Sequence, residues 1–174
     1  TVLPYYARFM ARWPTVEALA AADDDDVRAA WSGLGYYRRA QLMLKAAREV
    51  VSQHQGRFPD DAEGLLALPG FGRYTAGAVA AFAFDRPRAA VDGNVTRLVA
   101  RLEALEGDVM QGSGAQTVWR AAEALAPGAS PGDVAQGLIE VGALVCTARN
   151  PRCGACPVAE ACKARAQGAV ERIP

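Results

Sequence analysis

Residues 68–77 read LPGFGRYTAG, a proline–glycine turn between two segments of helical composition. Glycine can adopt the positive φ that a tight turn needs, so this stretch predicts a hairpin joining two helices. The free amides of such a turn, together with the N-terminus of the next helix, form a site for an anion. A DNA phosphate suits this site, which makes Gly70, Gly72 and Arg73 candidate DNA contacts. Taken alone, the same turn is also compatible with a purely structural role.

The rest of the 174-residue sequence predicts an all-α fold. Lys+Arg and Asp+Glu balance at 19 each, so net charge gives no indication of a nucleic-acid partner, and no apolar run reaches the length of a membrane span. Regular strand alternation is missing from the sequence. Helices are predicted at about 2–11, 16–22, 25–31, 37–55, 74–83, 94–104, 115–125 and 133–145, with another short one before Leu68.

Residues typical of helix ends support these boundaries. Thr15 and the aspartates at 23–26 are candidate N-caps, and Asp60 or Asp61 is a candidate N-cap for the short helix before Leu68. Gly56 is a candidate C-cap for the long helix. The acidic run at 23–26 is therefore most simply a capped, solvated helix start.

Four cysteines, the only ones in the chain, follow the pattern C-x6-C-x2-C-x5-C at Cys146, Cys153, Cys156 and Cys162. Thiolates at this density are typical of one soft metal centre. Zinc ribbons usually have two C-x2-C pairs, whereas this pattern has one, which favours a [4Fe–4S] cluster. A zinc site and two disulfides are the alternatives.

Basic residues surround these cysteines, namely Arg149, Arg152, Lys163, Arg165 and Arg172. They form either an ordinary solvated surface or a surface for a polyanion.

Taken in order, LPGFGRYTAG, VDGNVTRL at 91–98 and the cysteine pattern resemble the endonuclease III superfamily of DNA base-excision glycosylases. PYYARFMARWP at 4–14, WSGLGYYRRA at 31–40 and VDGNV make the A/G-specific adenine glycosylases the most similar group. The resemblance implies a helical barrel lobe at 1–86, an iron–sulfur lobe at 87–174 and a DNA-binding cleft between them. It also implies a monomer that acts on double-stranded DNA in a bacterial-like cytoplasm, at the nucleoid.

The resemblance further implies hydrolysis of the N-glycosidic bond of an adenine mispaired with 8-oxoguanine or guanine, after base flipping. Asp92 matches the carboxylate that faces the cationic sugar, and Asn94 matches its polar neighbour. Asp92 is equally a candidate N-cap. Tyr74 occupies the position where bifunctional relatives carry a lysine that attacks the sugar and allows strand cleavage. Because a phenol forms no Schiff base, we expect a monofunctional enzyme; the alternative is that Tyr74 only packs at the edge of the hairpin.

Two further groups are assigned DNA contacts by the resemblance. Leu34, flanked by Gly33 and Gly35, matches a wedge that fills the gap left by the flipped base, and Tyr36 matches a stacking residue. Arg149 and Arg152, between the first two cysteines, match a loop that meets the DNA backbone. The alternative for Leu34 and Tyr36 is an ordinary helix-closing turn.

The family's general acid is a glutamate that precedes the segment matching Thr1, and Glu17, Glu49 and Glu63 do not fit its motif. We therefore expect these 174 residues to bind DNA and to excise adenine poorly or not at all. Two other functions remain open from the sequence. One is an endonuclease III-like glycosylase/lyase for oxidised pyrimidines, and the other is a non-catalytic iron–sulfur DNA-binding module.

Overall fold

The computed structural model describes residues 2–128 and 130–173, and within that range it contains helices and no strand, which confirms the predicted all-α class. The chain forms two compact units, Thr1–Gly72 and Arg73–Pro174. The expected lobes, 1–86 and 87–174, stay a prediction about domains. None of the described helices has the length and hydropathy needed to cross a bilayer.

The first unit contains five helices among its described residues: α1 (Leu3–Arg12), α2 (Val16–Ala20), α3 (Asp24–Trp31), α4 (Arg38–His54) and α5 (Ala62–Ala67). Their ends confirm the sequence-based boundaries. The side chains of Thr15, Asp23 and Asp61 accept hydrogen bonds from the first turns of α2, α3 and α5. The C-cap of α4 is Gln55, in the left-handed region at φ +55°, one residue before the predicted Gly56. Gly56 follows at φ +78°, and its N–H donates to the Val50 carbonyl at 3.0 Å.

The core of this unit lies where α4 packs against α2 and α3. Val27, Ala40 and Leu44 are buried at its centre, and Trp13 and Trp31 pack against them. The tryptophans therefore serve as core anchors in this unit, and they hold the start of α4 next to the loop that follows α3.

The second unit contains α6 (Arg73–Phe84), α7 (Gly93–Glu103), α8 (Gly112–Leu125), α9 (Pro131–Glu140) and α10 (Lys163–Ala166). A π-helical turn, Val141–Val145, continues α9 and leads into the cysteine segment, which contains two 3₁₀ turns at Cys153–Ala155 and Ala159–Ala161. The helix predicted at 133–145 thus covers α9 and this π turn. Single π turns occur frequently at functional sites.

Helix α7 is the centre of the second unit, where it contacts α8, α9, α10 and the π turn. Val95 and Val99 are buried on it, and they join a core that reaches Ile173 near the end of the chain. Because the side chain of Asp92 caps α7, the position of that carboxylate is fixed by the core packing of this helix.

Candidate active site and metal centre

Asp92 is held by three hydrogen bonds at the start of α7. Its Oδ1 accepts from the backbone N–H groups of Asn94 and Val95, both at 2.8 Å, and its Oδ2 accepts from Asn94 Nδ2 at 3.0 Å. The side chain is half-buried. The helix dipole and the N–H donors complement a negative charge at this place. The structure therefore confirms the N-cap and also leaves a fixed carboxylate in partial contact with solvent.

Arg97 extends this arrangement and was not identified from the sequence. Its Nη2 donates to Asn94 Oδ1 at 2.9 Å and to the Gly142 carbonyl at 2.7 Å, and its Nε donates to the Cys146 carbonyl at 2.7 Å. Asn94 thus donates to Asp92 and accepts from Arg97. The result is a continuous chain of hydrogen bonds from the Asp92 carboxylate to the backbone of the first cysteine.

The close approach at Gly142 makes this chain of hydrogen bonds possible. A Cβ atom built on Gly142 would lie 2.6 Å from the carbonyl oxygen of Asn94, which leaves no room for a side chain. Gly142 belongs to the π turn, so the turn brings its own carbonyl within reach of Arg97.

The four cysteines line one cavity with about 350 Å³ of empty space, part of it open to solvent. Cys146 is buried and the other three are half-buried, and none of the four forms a disulfide. The remaining wall is mostly apolar, with Leu98, Leu102, Val145, Pro151, Ala159 and Val170. Across residues 2–128 and 130–173, no three Cys, His, Asp or Glu side chains are placed to hold a single metal ion. Soft sulfur donors spaced around a cavity fit a cuboidal [4Fe–4S] cluster.

The hairpin glycines differ from each other. Gly70 takes φ +81°, and a Cβ there would lie 2.6 Å from Leu42 Cβ. Gly72 lies outside the positive-φ region. A Cβ on Gly72 would meet no atom within 4 Å. The turn reverses at Gly70 alone, and Gly72 leaves the backbone open to a ligand.

Arg73 and Tyr74 begin α6 and are both exposed. The Arg73 guanidinium lies 3.9 Å from the ring centroid of Trp119, a cation–π contact. Trp119 is partly buried and packs against the core, and its ring also restrains Arg73. Such stacking leaves the N–H groups at the edge of the guanidinium able to donate to a phosphate.

The loop that follows α3 displays Tyr36. Trp31 Nε1 donates to the Gly35 carbonyl at 2.9 Å, and Tyr36 takes φ +48° with 77% of its surface exposed. Arg39 lies 4.9 Å from the Tyr36 ring centroid. Leu34 is half-buried in the same loop. A bulky residue with positive φ is an uncommon, strained conformation. This geometry presents Tyr36 to a ligand more fully than Leu34, and both contacts stay predictions.

Arg149 and Arg152 are both exposed, but their surroundings differ. Arg152 donates to the Leu144 carbonyl and so closes the loop on itself. Within the described part of the chain, no hydrogen bond or ion pair engages the side chain of Arg149. Thr147 Oγ1 donates to the Arg149 carbonyl at 3.0 Å and orders the backbone there. Arg149 is therefore the better placed of the two for a phosphate.

Comparisons with known proteins agree with this geometry. Residues 1–124 match the HhH-GPD superfamily base excision DNA repair protein, and residues 146–165 match the iron–sulfur binding domain of endonuclease III. The second match contains all four cysteines and supports the [4Fe–4S] assignment.

Adenine DNA glycosylases are among the similar sequences. The protein from Rattus norvegicus is 43% identical over 100% of this chain and 34% of its own length. The protein from Homo sapiens is 42% identical over 99% of this chain and 32% of its own length. The chain thus spans about a third of the length of these relatives.

Solved structures of DNA glycosylases share the fold. A thermostable thymine-DNA glycosylase has a TM-score of 0.84 and 28% identity, over 95% of this chain and 76% of that chain. A trapped endonuclease III–DNA covalent intermediate has a TM-score of 0.77 and 25% identity, with the same coverage. The chain therefore belongs to the HhH-GPD superfamily of base excision DNA repair proteins.

Proposed function

We propose that this chain forms part of a monofunctional DNA glycosylase that removes adenine mispaired with 8-oxoguanine or guanine by hydrolysis of the N-glycosidic bond. The names of the similar sequences support the reaction, and similarity to endonuclease III–DNA complexes supports DNA as the partner. The setting that fits this role is a monomer working at the nucleoid of a bacterial-like cytoplasm.

The observation that carries the proposal is the carboxylate of Asp92. Cleavage of the glycosidic bond builds positive charge on the sugar, and a fixed anion on one face of the sugar stabilises that charge. Three hydrogen bonds hold the Asp92 carboxylate in one direction before the substrate arrives, so little reorganisation is needed during the reaction. In this proposal Asp92 supplies the sugar-facing half of the chemistry.

Tyr74 decides between the two glycosylase classes. A lysine at this place would attack the sugar and form an imine, whereas the phenol of Tyr74 cannot form an imine and can instead hydrogen-bond and stabilise the charged centre. Water is then the nucleophile, and the DNA strand stays intact.

DNA binding divides into phosphate contacts and base contacts. The backbone at Gly70 and Gly72, with Arg73 and Arg149, would bind phosphates. Tyr36 would stack on bases beside the flipped nucleotide. The bound cluster would supply structural and electrostatic support and take no part in the hydrolysis.

The test is run on the whole protein of which this chain is proposed to form part. It compares duplexes containing adenine opposite 8-oxoguanine, adenine opposite guanine, and thymine glycol, each with and without borohydride. The proposal predicts binding that favours the adenine mispairs, release of adenine as the only base, and no covalent adduct. Release of oxidised pyrimidine with a borohydride-trapped adduct would instead assign the endonuclease III-like activity. A colourless protein with stoichiometric zinc would overturn the cluster assignment.

A further inference from the structure

Arg101 lies one helical turn beyond Arg97 on α7 and is buried, with 2% of its surface exposed. Its Nη1 donates to the Thr147 carbonyl at 2.7 Å, and its Nη2 donates to the Ala148 carbonyl at 3.3 Å. Its Nε donates to the Ile173 carbonyl at 3.2 Å. These three acceptors are neutral, so they satisfy the donors of the guanidinium without balancing its charge.

No carboxylate balances this charge within residues 2–128 and 130–173. The nearest acidic groups along the chain are engaged elsewhere, because Glu103 pairs with Lys163 and Glu106 pairs with Arg172. A buried charge without a counter-charge is strongly unfavourable, and proteins normally pair such a charge with one of opposite sign.

The fourth contact of Arg101 points to the missing counter-charge. Its Nη1 lies 3.5 Å from Cys146 Sγ, and its side chain lines the cavity that the four cysteines share. The Arg101 carbonyl oxygen is in turn 3.4 Å from Cys162 Sγ. Arg101 therefore contacts two of the four sulfur atoms, one through its side chain and one through its backbone.

A [4Fe–4S] cluster held by four thiolates carries net negative charge, because the thiolate charges together exceed the charge of the cluster core. We propose that Arg101 is the internal counter-charge of the cluster. Its positive charge is balanced only when the cysteines hold the cluster, and its N–H group stabilises the bound sulfur of Cys146. This inference concerns the cluster and holds whether or not the protein excises adenine.

Two consequences follow from this charge balance. Loading the cluster should stabilise the second unit partly by neutralising Arg101, so the stability gained on loading should depend on a positive charge at this position. A buried cation and an N–H donor at a cluster sulfur also favour the more negatively charged state of the cluster, which raises its reduction potential.

Arg101→Met and Arg101→Lys form the test pair, because Met removes the charge and Lys keeps it. Arg165→Met is the matched control, since Arg165 also lines the cavity but is exposed to solvent. The first readout is the rate at which a chelator removes the visible absorbance of the cluster. The second is the gain in thermal stability on loading, and the third is the reduction potential of the cluster.

The proposal predicts that Arg101→Met loses its cluster roughly 10- to 100-fold faster, the usual effect of removing a group that supports a metal ligand. The same variant should gain less stability on loading and show a lower reduction potential, while Arg101→Lys and Arg165→Met stay near the unchanged protein. If Arg101→Met does not assemble the cluster, the rate of cluster loss from Arg101→Lys tests the proposal in its place.

Cluster loss by Arg101→Lys that is as fast as by Arg101→Met would show that charge is not the cause, and it would overturn the proposal. An equal gain in stability on loading in Arg101→Met and in the unchanged protein would overturn it as well. A failure of adenine excision with these three readouts as predicted would contradict only the proposed function.

Discussion

Replacing Arg97 with methionine removes the link between the Asp92 site and the cysteine segment. Arg97 makes three hydrogen bonds of 2.7–2.9 Å, and each bond to a charged group contributes about 1.5–3 kcal/mol. Because the side chain is only half-buried, water will form some of the lost hydrogen bonds in the variant. We therefore expect the free energy of unfolding to fall by about 2–4 kcal/mol. For a protein of this size that corresponds to a fall in Tm of roughly 4–16 °C.

The effect on function should exceed the effect on folding at temperatures where the variant is fully folded. Without Arg97, Asn94 Oδ1 loses its partner, and Asn94 no longer holds the Asp92 carboxylate in one direction. A misplacement of about 1 Å at a reacting group can reduce the rate about 100-fold. The assay is single-turnover release of adenine from a duplex with adenine opposite 8-oxoguanine, measured in the whole protein of which this chain is proposed to form part and run beside thermal unfolding.

Arg120→Met is the matched control, because Arg120 is an exposed arginine on α8 in the same unit. We expect Arg120→Met to have little effect on the Tm or on the rate of adenine release. If Arg97→Met lowers the Tm as predicted while adenine release stays within threefold of the unchanged protein, Arg97 only supports the fold, and the reasoning about Asp92 is refuted.

Three other predictions test separate features of the two units. Gly142→Ala should lower the free energy of unfolding by about 1–3 kcal/mol, because its methyl group would meet backbone atoms. Gly137→Ala in α9 is the control, since its methyl group would meet nothing within 4 Å and should leave that free energy unchanged or raise it. Chemical denaturation of the two variants measures the difference. Arg149→Ala should reduce the slope of log binding constant against log salt by about 1. Arg152→Ala should mainly destabilise the cysteine loop, and an equal change of slope in both variants would contradict the distinction. Tyr36→Ala should weaken DNA binding by about 1–3 kcal/mol, and fluorescence titration that shows no change would remove it from the DNA-binding surface.

Much of the fold could be predicted because helix ends carry local chemical signals. Thr15, Asp23 and Asp61 cap helices through their own side chains, and α4 ends in the left-handed backbone of Gln55 and Gly56. These interactions involve residues two to six positions apart, so the sequence alone contains them. The four cysteines are equally local, since one segment of 17 residues contains them all.

The hydrogen bonds that link Asp92 and α7 to the cysteine segment could not be predicted, because they join residues that are far apart in the chain. Arg97 and Arg101 reach the cysteine segment about 45 residues away, and as arginines on a helix they resemble ordinary surface residues. One signal was present: they are four residues apart, so they lie on the same face of α7, between buried apolar positions. Gly142 gave no such signal, because the π turn that needs it has no sequence period.

The most direct test of the central claim measures whether Asp92 stabilises positive charge on the sugar. Two duplexes with 8-oxoguanine in the opposite strand are compared: one contains a cationic pyrrolidine in place of the sugar of the target nucleotide, and the other contains the neutral tetrahydrofuran analogue. An opposite charge at about 4 Å contributes up to about 4 kcal/mol at an effective dielectric constant near 20, so we expect the protein to prefer the cation by about 100- to 1,000-fold. Asp92→Asn, which keeps the N-cap, should lose most of that preference. A variant that keeps the full preference would contradict the assignment of Asp92.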